Sequence, residues 1–385
     1  MSHFDVIVVS TEPPDPFGNA AGRWYYVLAK GLCERGHRVR WLAAYSREAS
    51  AARARAYLKG SGVNLRLYPY PARSWLRSKW ETLRRPYGYF VSRSLAQDLT
   101  AELERGYDVA HFEPTWAAWL GLGVPRALLS IQWLAQLDLA RTVPQPFRLL
   151  MTGALMKRTE RQLIGQFDTI RALTPQDSRI VQRLNPRARL VTIPLAIDPT
   201  LYPFEAVEPA HPTVGLIGSM NWQPTRSAAV RLLTSIWPKV KASVRDATLL
   251  VVGWGARRAL GQFLDRPDVT IIEDVPDSAP YFRQLSLLAF PVSNGSGMKV
   301  KVLEAMAYGV PTVTTRDGIA GIEAADGYQA AISDDDAVFA DKIIELLKSE
   351  AARRAMTLAA RRLIEERYSP AAVLPQIEAL YQEVV

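Results

Sequence analysis

Residues 294–311 read NGSGMKVKVLEAMAYGVP, and few folds accommodate such a run. The preceding LSLLAF (285–290) with Pro291 and Val292 reads as a buried strand followed to its carboxyl end. Gly295 and Gly297 permit a tight turn and a close backbone approach, and an apolar helix then runs to Gly309, with Pro311 just beyond it. Strand, glycine loop and helix in that order build an anion site, because unshared backbone N–H groups and the helix dipole face the same point. Lys299 and Lys301 stand in the first turn, where positive charge opposes the dipole, so they are assigned to an anionic ligand. Glu304 follows one turn later among Leu303, Ala305, Met306 and Ala307. A carboxylate in such surroundings is rare unless it is paired, and here it is expected to accept hydrogen bonds from a sugar or ribose diol.

The rest of the chain alternates strand-like and helix-like segments. Residues 4–10, 37–44, 63–70, 107–113, 126–132, 168–174 and 188–197 read as strands of a first domain, separated by helical stretches at 20–35 and 147–167 among others. Four prolines in 197–212 mark a linker. A second set of strands follows at 213–219, 247–255, 269–275, 285–290 and 310–315. The fold class expected is α/β, two doubly wound Rossmann-like domains facing a cleft, with ligands at the carboxyl ends of the strands. The boundaries expected are 1–207, 208–366 and a terminal helix, 367–385.

Composition fits a globular protein of two domains: 385 residues, 48% hydrophobic and 22% charged. No run is long and apolar enough to span a bilayer, the single Cys33 excludes an internal disulfide, and residues 4–10 open without a signal pattern, so a cytoplasmic location is expected. The net charge of +9 is uneven: residues 51–100 hold 10 basic and 2 acidic side chains. Residues 72–90 combine Arg73, Arg77, Lys79, Arg84 and Arg85 with Trp75, Trp80, Tyr87, Tyr89 and Phe90. Such a stretch suits an anionic membrane face bound peripherally, or a pocket for an anionic soluble acceptor, or a solvated helix whose tryptophans are core. It contains no nucleic-acid module. Asp334, Asp335 and Asp336 resemble a metal triad but precede a helix, where acidic residues are expected anyway, and no metal is assigned.

The 294–311 segment resembles the donor-site signature of GT-B glycosyltransferases of the retaining, GT4-like superfamily (group 1), with Glu304-Ala305-Met306-Ala307, Gly309 and Pro311 as the matching positions. The resemblance implies transfer of sugar from a nucleotide-diphosphate donor, UDP- or GDP-linked, to a hydroxyl acceptor, with Glu304 on the ribose and Gly295, Ser296, Gly297 and Met298 around the diphosphate. Many members carry a second Glu where this chain has Ser296. Its loop 218–226, GSMNWQPTR, lacks the Arg and Lys that members place on the diphosphate; Gly218, Asn221 and Arg226 are the donor-side residues there, and Lys299 and Lys301 replace the missing charge. Val275 stands where the nucleobase is read. In the first domain Gln132 occupies a position often held by His and is taken as catalytic with the two lysines; Gly18, Asn19, Gly22, His111 and Glu113 mark the acceptor side. His111 is equally well read as a satisfied core histidine. Product analysis separates this activity from a nucleotide-sugar epimerase or phosphorylase on the same fold, and turnover separates it from a non-catalytic nucleotide-binding subunit. The acceptor, sugar and base are not encoded legibly.

Overall fold

The structure is a computed structural model and describes residues 3–72, 74, 81, 84–139, 147–204, 209, 211–275 and 277–385. Arg73, Trp75, Arg77, Lys79 and Trp80 of the basic aromatic stretch lie outside the described residues. The chain divides into two compact units, one of Met1–Ala196 with Pro370–Val385, the other of Ile197–Ser369.

The first unit is built on seven strands: β1 (Asp5–Ser10), β2 (Arg38–Tyr45), β3 (Asn64–Pro69), β4 (Val109–Glu113), β5 (Ala127–Ile131), β6 (Thr169–Ala172) and β7 (Arg189–Thr192). They pair in the order β3-β2-β1-β4-β5-β6-β7, every ladder parallel. The sequence dictates this arrangement because a parallel sheet is covered by helices on both faces and its strands must be apolar on both sides. Val6, Ile7, Val8 and Val9 of β1 meet that requirement, with no exposed surface. The second unit carries β8 (Thr213–Ile217), β9 (Thr248–Gly253), β10 (Val269–Glu273), β11 (Leu287–Phe290), β12 (Thr312–Thr314) and β13 (Ala331–Ile332), ordered β10-β9-β8-β11-β12-β13 and again parallel.

In both sheets the strand order reverses beside the first strand, at β1/β4 and at β8/β11. Helices leave in opposite directions from such a pair, which opens a crevice at the carboxyl ends. Ser10 is level with Glu113 across β1 and β4, so Thr11, Glu12 and Glu113 emerge at one crevice. Gly218 and Pro291 emerge at the other. The terminal helix Pro370–Val384 belongs to the first unit, where Glu378 takes Arg35 at 2.6 Å and His37 at 2.7 Å. Strand 188–197 of the sequence reading shrinks to Arg189–Thr192, because the Pro194 and Ile193 carbonyls turn to Arg171 instead of continuing the ladder. The acidic triplet is fully engaged: Asp335 caps Asp336–Lys348, Asp334 pairs with Arg316, and Asp336 pairs with Arg231.

Gly253 ends β9 hard against the neighbouring backbone: a Cβ there would stand 1.7 Å from the Gly218 carbonyl oxygen. Neither backbone can yield without shifting a strand, so Gly253→Ala is expected to cost about 1–3 kcal/mol or more, as overpacked cores do. Urea melts measure it; wild-type stability in the variant would contradict the packing described.

Candidate functional site

In the second unit β11 feeds the loop through Gly295 (φ +117°) and Gly297 (φ +65°) into the helix Val300–Tyr308. The left-handed region favours glycine at both positions. A side chain at Gly295 would also meet Pro224 at 3.1 Å and Trp222 at 3.2 Å, so the loop after β8 packs directly on the loop after β11. Lys299 explains the loop's shape. Its ammonium is 3% exposed and donates to the carbonyls of Gly295, Ser296 and Gly297 at 3.0, 3.0 and 2.8 Å. A trans peptide sets each C=O opposite to the next residue's N–H. Three carbonyls turned in on Lys299 therefore turn the amides of Ser296, Gly297 and Met298 away from it, ahead of a helix that starts without a side-chain cap.

Glu304 projects from the second turn of that helix and has no exposed surface. Lys301, 28% exposed, lies on it, with Nζ 2.8 Å from Glu304 Oε2 and 3.1 Å from Ser278 Oγ. The two lysines thus have different positions: Lys299 is an internal strut, and Lys301 is the partly open cation. A side chain at Gly218 would meet Thr225 at 2.9 Å, Asn221 is exposed and accepts from Arg258 at 3.3 Å, and Arg226 is exposed on the helix Gln223–Arg231. Val275 is half-buried past the end of β10, the edge strand. Met298 is buried.

The first unit gathers a separate polar cluster around Glu113. That carboxylate accepts from Gln132 Nε2 at 2.6 Å and Trp24 Nε1 at 3.0 Å, and it lies 3.3 Å from Arg171 and 3.2 Å from His111. Burial alone would raise its pKa, but the hydrogen bond and charge of His111, the Arg171 guanidinium and Trp24 hold it below the usual carboxylate range. Burial also pulls Arg171 down, to about 10, against the pull of Glu113. His111 is enclosed, with Nδ1 2.8 Å from the Tyr381 hydroxyl and Nε2 2.7 Å from Ser130 Oγ. His111 and Glu113 are therefore placed as the core of a buried ion network, with Gln132 at its rim. Arg171, Trp24, Ser130 and Tyr381 were not visible in the sequence as partners, since they are brought together from β5, β6 and two helices.

Gly18, Asn19 and Gly22 form the turn into the helix Ala20–Glu34. Asn19 caps it, accepting from Gly22 N at 2.9 Å, and its amide donates to the Glu12 carboxylate. Glu12 went unnoticed in the sequence, although an acid two residues after the VIVVS strand was a usable signal. Burial raises its pKa, with Asn19 and Arg47 opposing the shift. Of the aromatic stretch, Phe90 is buried and Tyr87 stacks on Trp116 at 4.5 Å, while Tyr89 is exposed.

Two family models match this chain. One, described as glycosyl transferases group 1, covers residues 211–349; the other, a glycosyl transferase 4-like domain, covers 19–196. The chain belongs to the group 1 glycosyltransferases. Its fold is GT-B: a sucrose-phosphate synthase from Thermosynechococcus elongatus superposes with a TM-score of 0.72 at 16% identity, over 99% of each chain. TarM of S. aureus, in complex with UDP, gives 0.72 at 12% identity, over 98% of this chain and 99% of that one. Anabaena HepE, in complex with UDP-glucose, gives 0.68 at 14%, over 99% and 100%. Among curated proteins, the N-acetyl-alpha-D-glucosaminyl L-malate synthase of Bacillus anthracis is 32% identical over 149 residues, 36% of this chain and 38% of that protein. Among the described residues of this group 1 member no helix is long and apolar enough to cross a membrane, and no group of three metal-ligating side chains is found.

The Glu113 network has a measurable signature. A carboxyl with a lowered folded pKa contributes stability that is complete above its unfolded value, near 4.5, and is lost as pH falls through the folded value. Glu113→Gln strands Arg171 without its counter-charge and is expected to cost about 3–5 kcal/mol at neutral pH, with a shallower acid loss than wild type. Urea melts at neutral and acid pH decide it; equal stability at neutral pH would show that the pair is not the element holding this region.

Proposed function

We propose that this group 1 protein transfers a glycosyl group from a nucleotide-diphosphate sugar to a hydroxyl acceptor, with retention of configuration. The observation that carries the reading is the loop wrapped on Lys299, which presents the amides of Ser296, Gly297 and Met298 at the start of the helix that holds Glu304. Amides so oriented at a helix start suit the charge that develops on a leaving diphosphate. Lys301 is the cation able to change partners: its ammonium leaves Glu304 for the diphosphate, and Glu304 turns to the ribose hydroxyls. Lys299 supports the same charge from behind the loop. Arg226 stands exposed on the helix after β8 as a further cation. Gln132, which donates to Glu113, is the sugar-facing amide of the first unit, and it can hydrogen-bond a hydroxyl without carrying charge. Gly218 and Asn221 approach the nucleotide from the β8 side, and Val275 offers backbone groups to the base. A uridine nucleotide is the donor favoured, on the strength of the UDP and UDP-glucose bound to fold neighbours and the N-acetylglucosaminyl transfer named for the Bacillus relative. No metal is assigned a part, since the amides and lysines supply the countercharge.

Calorimetry with UDP tests the site. Glu304→Ala is expected to weaken UDP binding about tenfold to a hundredfold while leaving the fold intact, as the loss of hydrogen bonds to a charged group does. Transfer should persist in EDTA, with the product anomer matching the donor's. Unchanged UDP affinity in the variant, strict dependence on Mg²⁺ or Mn²⁺, or an inverted product would each contradict the reading.

A further inference from the structure

Beyond Glu113 the first unit continues into Pro114, Thr115 and Trp116, and this turn leaves two polar groups unanswered. Thr115 has no exposed surface and Trp116 only 4%, yet neither the Thr115 hydroxyl nor the Trp116 indole N–H has a hydrogen-bond partner among the described residues. Buried polar groups are nearly always satisfied, and one left unmade is costly, so two adjacent exceptions ask for a ligand. Their surroundings are aromatic. Trp116 lies 5.7 Å from Trp133, and Tyr87, stacked on it, lies 5.9 Å from Tyr89 and 6.0 Å from Trp133. Tyr89 is 49% exposed and Trp133 half-buried, so this wall of rings reaches solvent. Tyr70, 5.5 Å from Tyr89, joins the wall to β1 by donating from its hydroxyl to the Thr11 carbonyl at 2.8 Å.

Glu12 follows directly on Thr11, whose carbonyl takes the Tyr70 hydroxyl. Its charge is felt by Tyr89, Tyr70 and Tyr25, and Tyr25 is also within reach of Gln132 and Glu113. Burial together with these carboxylates keeps the tyrosine hydroxyls protonated; that of Tyr89 is pushed up to about 12. Neutral hydroxyls, an indole N–H and a desolvated carboxyl thus share the carboxyl-end edge of β1, β3, β4 and β5 with stacked aromatic faces.

We propose that this edge binds a neutral pyranose ring, the sugar acceptor of the transfer reaction, stacked on Trp133 and Tyr89 and hydrogen-bonded to Trp116, Thr115 and Glu12. The inference rests on the glycosyltransferase reading for the word acceptor alone; the binding site stands on the first unit's own groups. An anionic acceptor would place a second negative charge beside Glu12 in a poorly solvated spot. A plain arene would fill the wall but leave the Trp116 N–H and the Thr115 hydroxyl without partners. A pyranose offers both a face of C–H groups for the rings and hydroxyl oxygens for the polar groups.

Saturation-transfer NMR on the full chain, with methyl α-glucopyranoside, N-acetylglucosamine and 4-nitrophenol as probes, tests the site. UDP affinity is measured by calorimetry on the same samples. Ring protons of at least one pyranose should saturate at millimolar concentration, and Trp133→Ala should weaken that binding roughly tenfold, the scale of a lost aromatic contact. Trp116→Phe keeps the ring and removes the unanswered N–H. It should weaken pyranose binding several-fold while melting no lower than wild type, a divergence that a purely structural tryptophan would not give. UDP affinity should be unchanged in both variants. Binding of 4-nitrophenol without either sugar, pyranose binding unaltered in both variants, or loss of sugar binding only together with stability would overturn the proposal. Sugar binding in a chain that fails to bind UDP would sustain this site and defeat the donor reading instead.

Discussion

A buried ammonium is the constraint from which the loop after β11 takes its form. Lys299 is removed from water almost completely, and an unsolvated cation is tolerated only where dipoles replace its hydration. Three consecutive carbonyls do so, which fixes the peptide planes of 295–298. The glycines follow from this: bending the backbone around one point demands positive φ at Gly295 and Gly297. The face presented outward follows as well, since amides must point where carbonyls do not. A positive charge inside a loop and N–H groups turned outward act in the same direction on an anion. The loop 218–226 after β8 holds no lysine and one arginine, Arg226, and the buried Lys299 supplies a cation that also shapes the backbone.

The first unit answers the opposite problem with the opposite charge. Glu113 is a buried carboxylate, stabilised by Arg171, His111, Trp24 and Gln132, and its network ties β4, β5 and β6 to the terminal helix through Tyr381. Breaking one member leaves another charge stranded, so the cluster resists piecemeal change. Holding Glu113 rigid fixes the turn that follows it and with it Thr115 and Trp116. The unanswered groups of that turn are thereby held in place.

The sequence made the fold legible where strands are apolar on both faces and the helix starts are glycine-rich. The runs at 4–10, 213–219 and 285–290 emerged as β1, β8 and β11, the strands that flank each crevice. Glu304 could be singled out because a carboxylate in LEAMA contradicts its neighbours. What could not be read was partnership over long separations. Arg171 is an ordinary charge in DTIRALT until β6 sets it beside Glu113, and Tyr381 lies 270 residues from His111. Lys299 and Lys301 look alike as a pair two residues apart, yet helix geometry sends one inward to the loop and the other across to Glu304. The seven-residue separation of Asn19 from Glu12 concealed a cap and a carboxyl working together.

The Lys299 ammonium organises the 295–298 loop from inside, and this arrangement carries the rest. It is tested most directly by the UDP affinity of Lys299→Met set beside that of Lys301→Met. Methionine fills the space of the stem but leaves three carbonyls without a donor. Lys299→Met should therefore lose at least two orders of magnitude in affinity, roughly 3 kcal/mol, with faster exchange of the amides of Ser296, Gly297 and Met298, whereas Lys301→Met should lose about tenfold with those amides unchanged. A Lys299→Met protein that is folded and binds UDP as tightly as wild type would contradict the account.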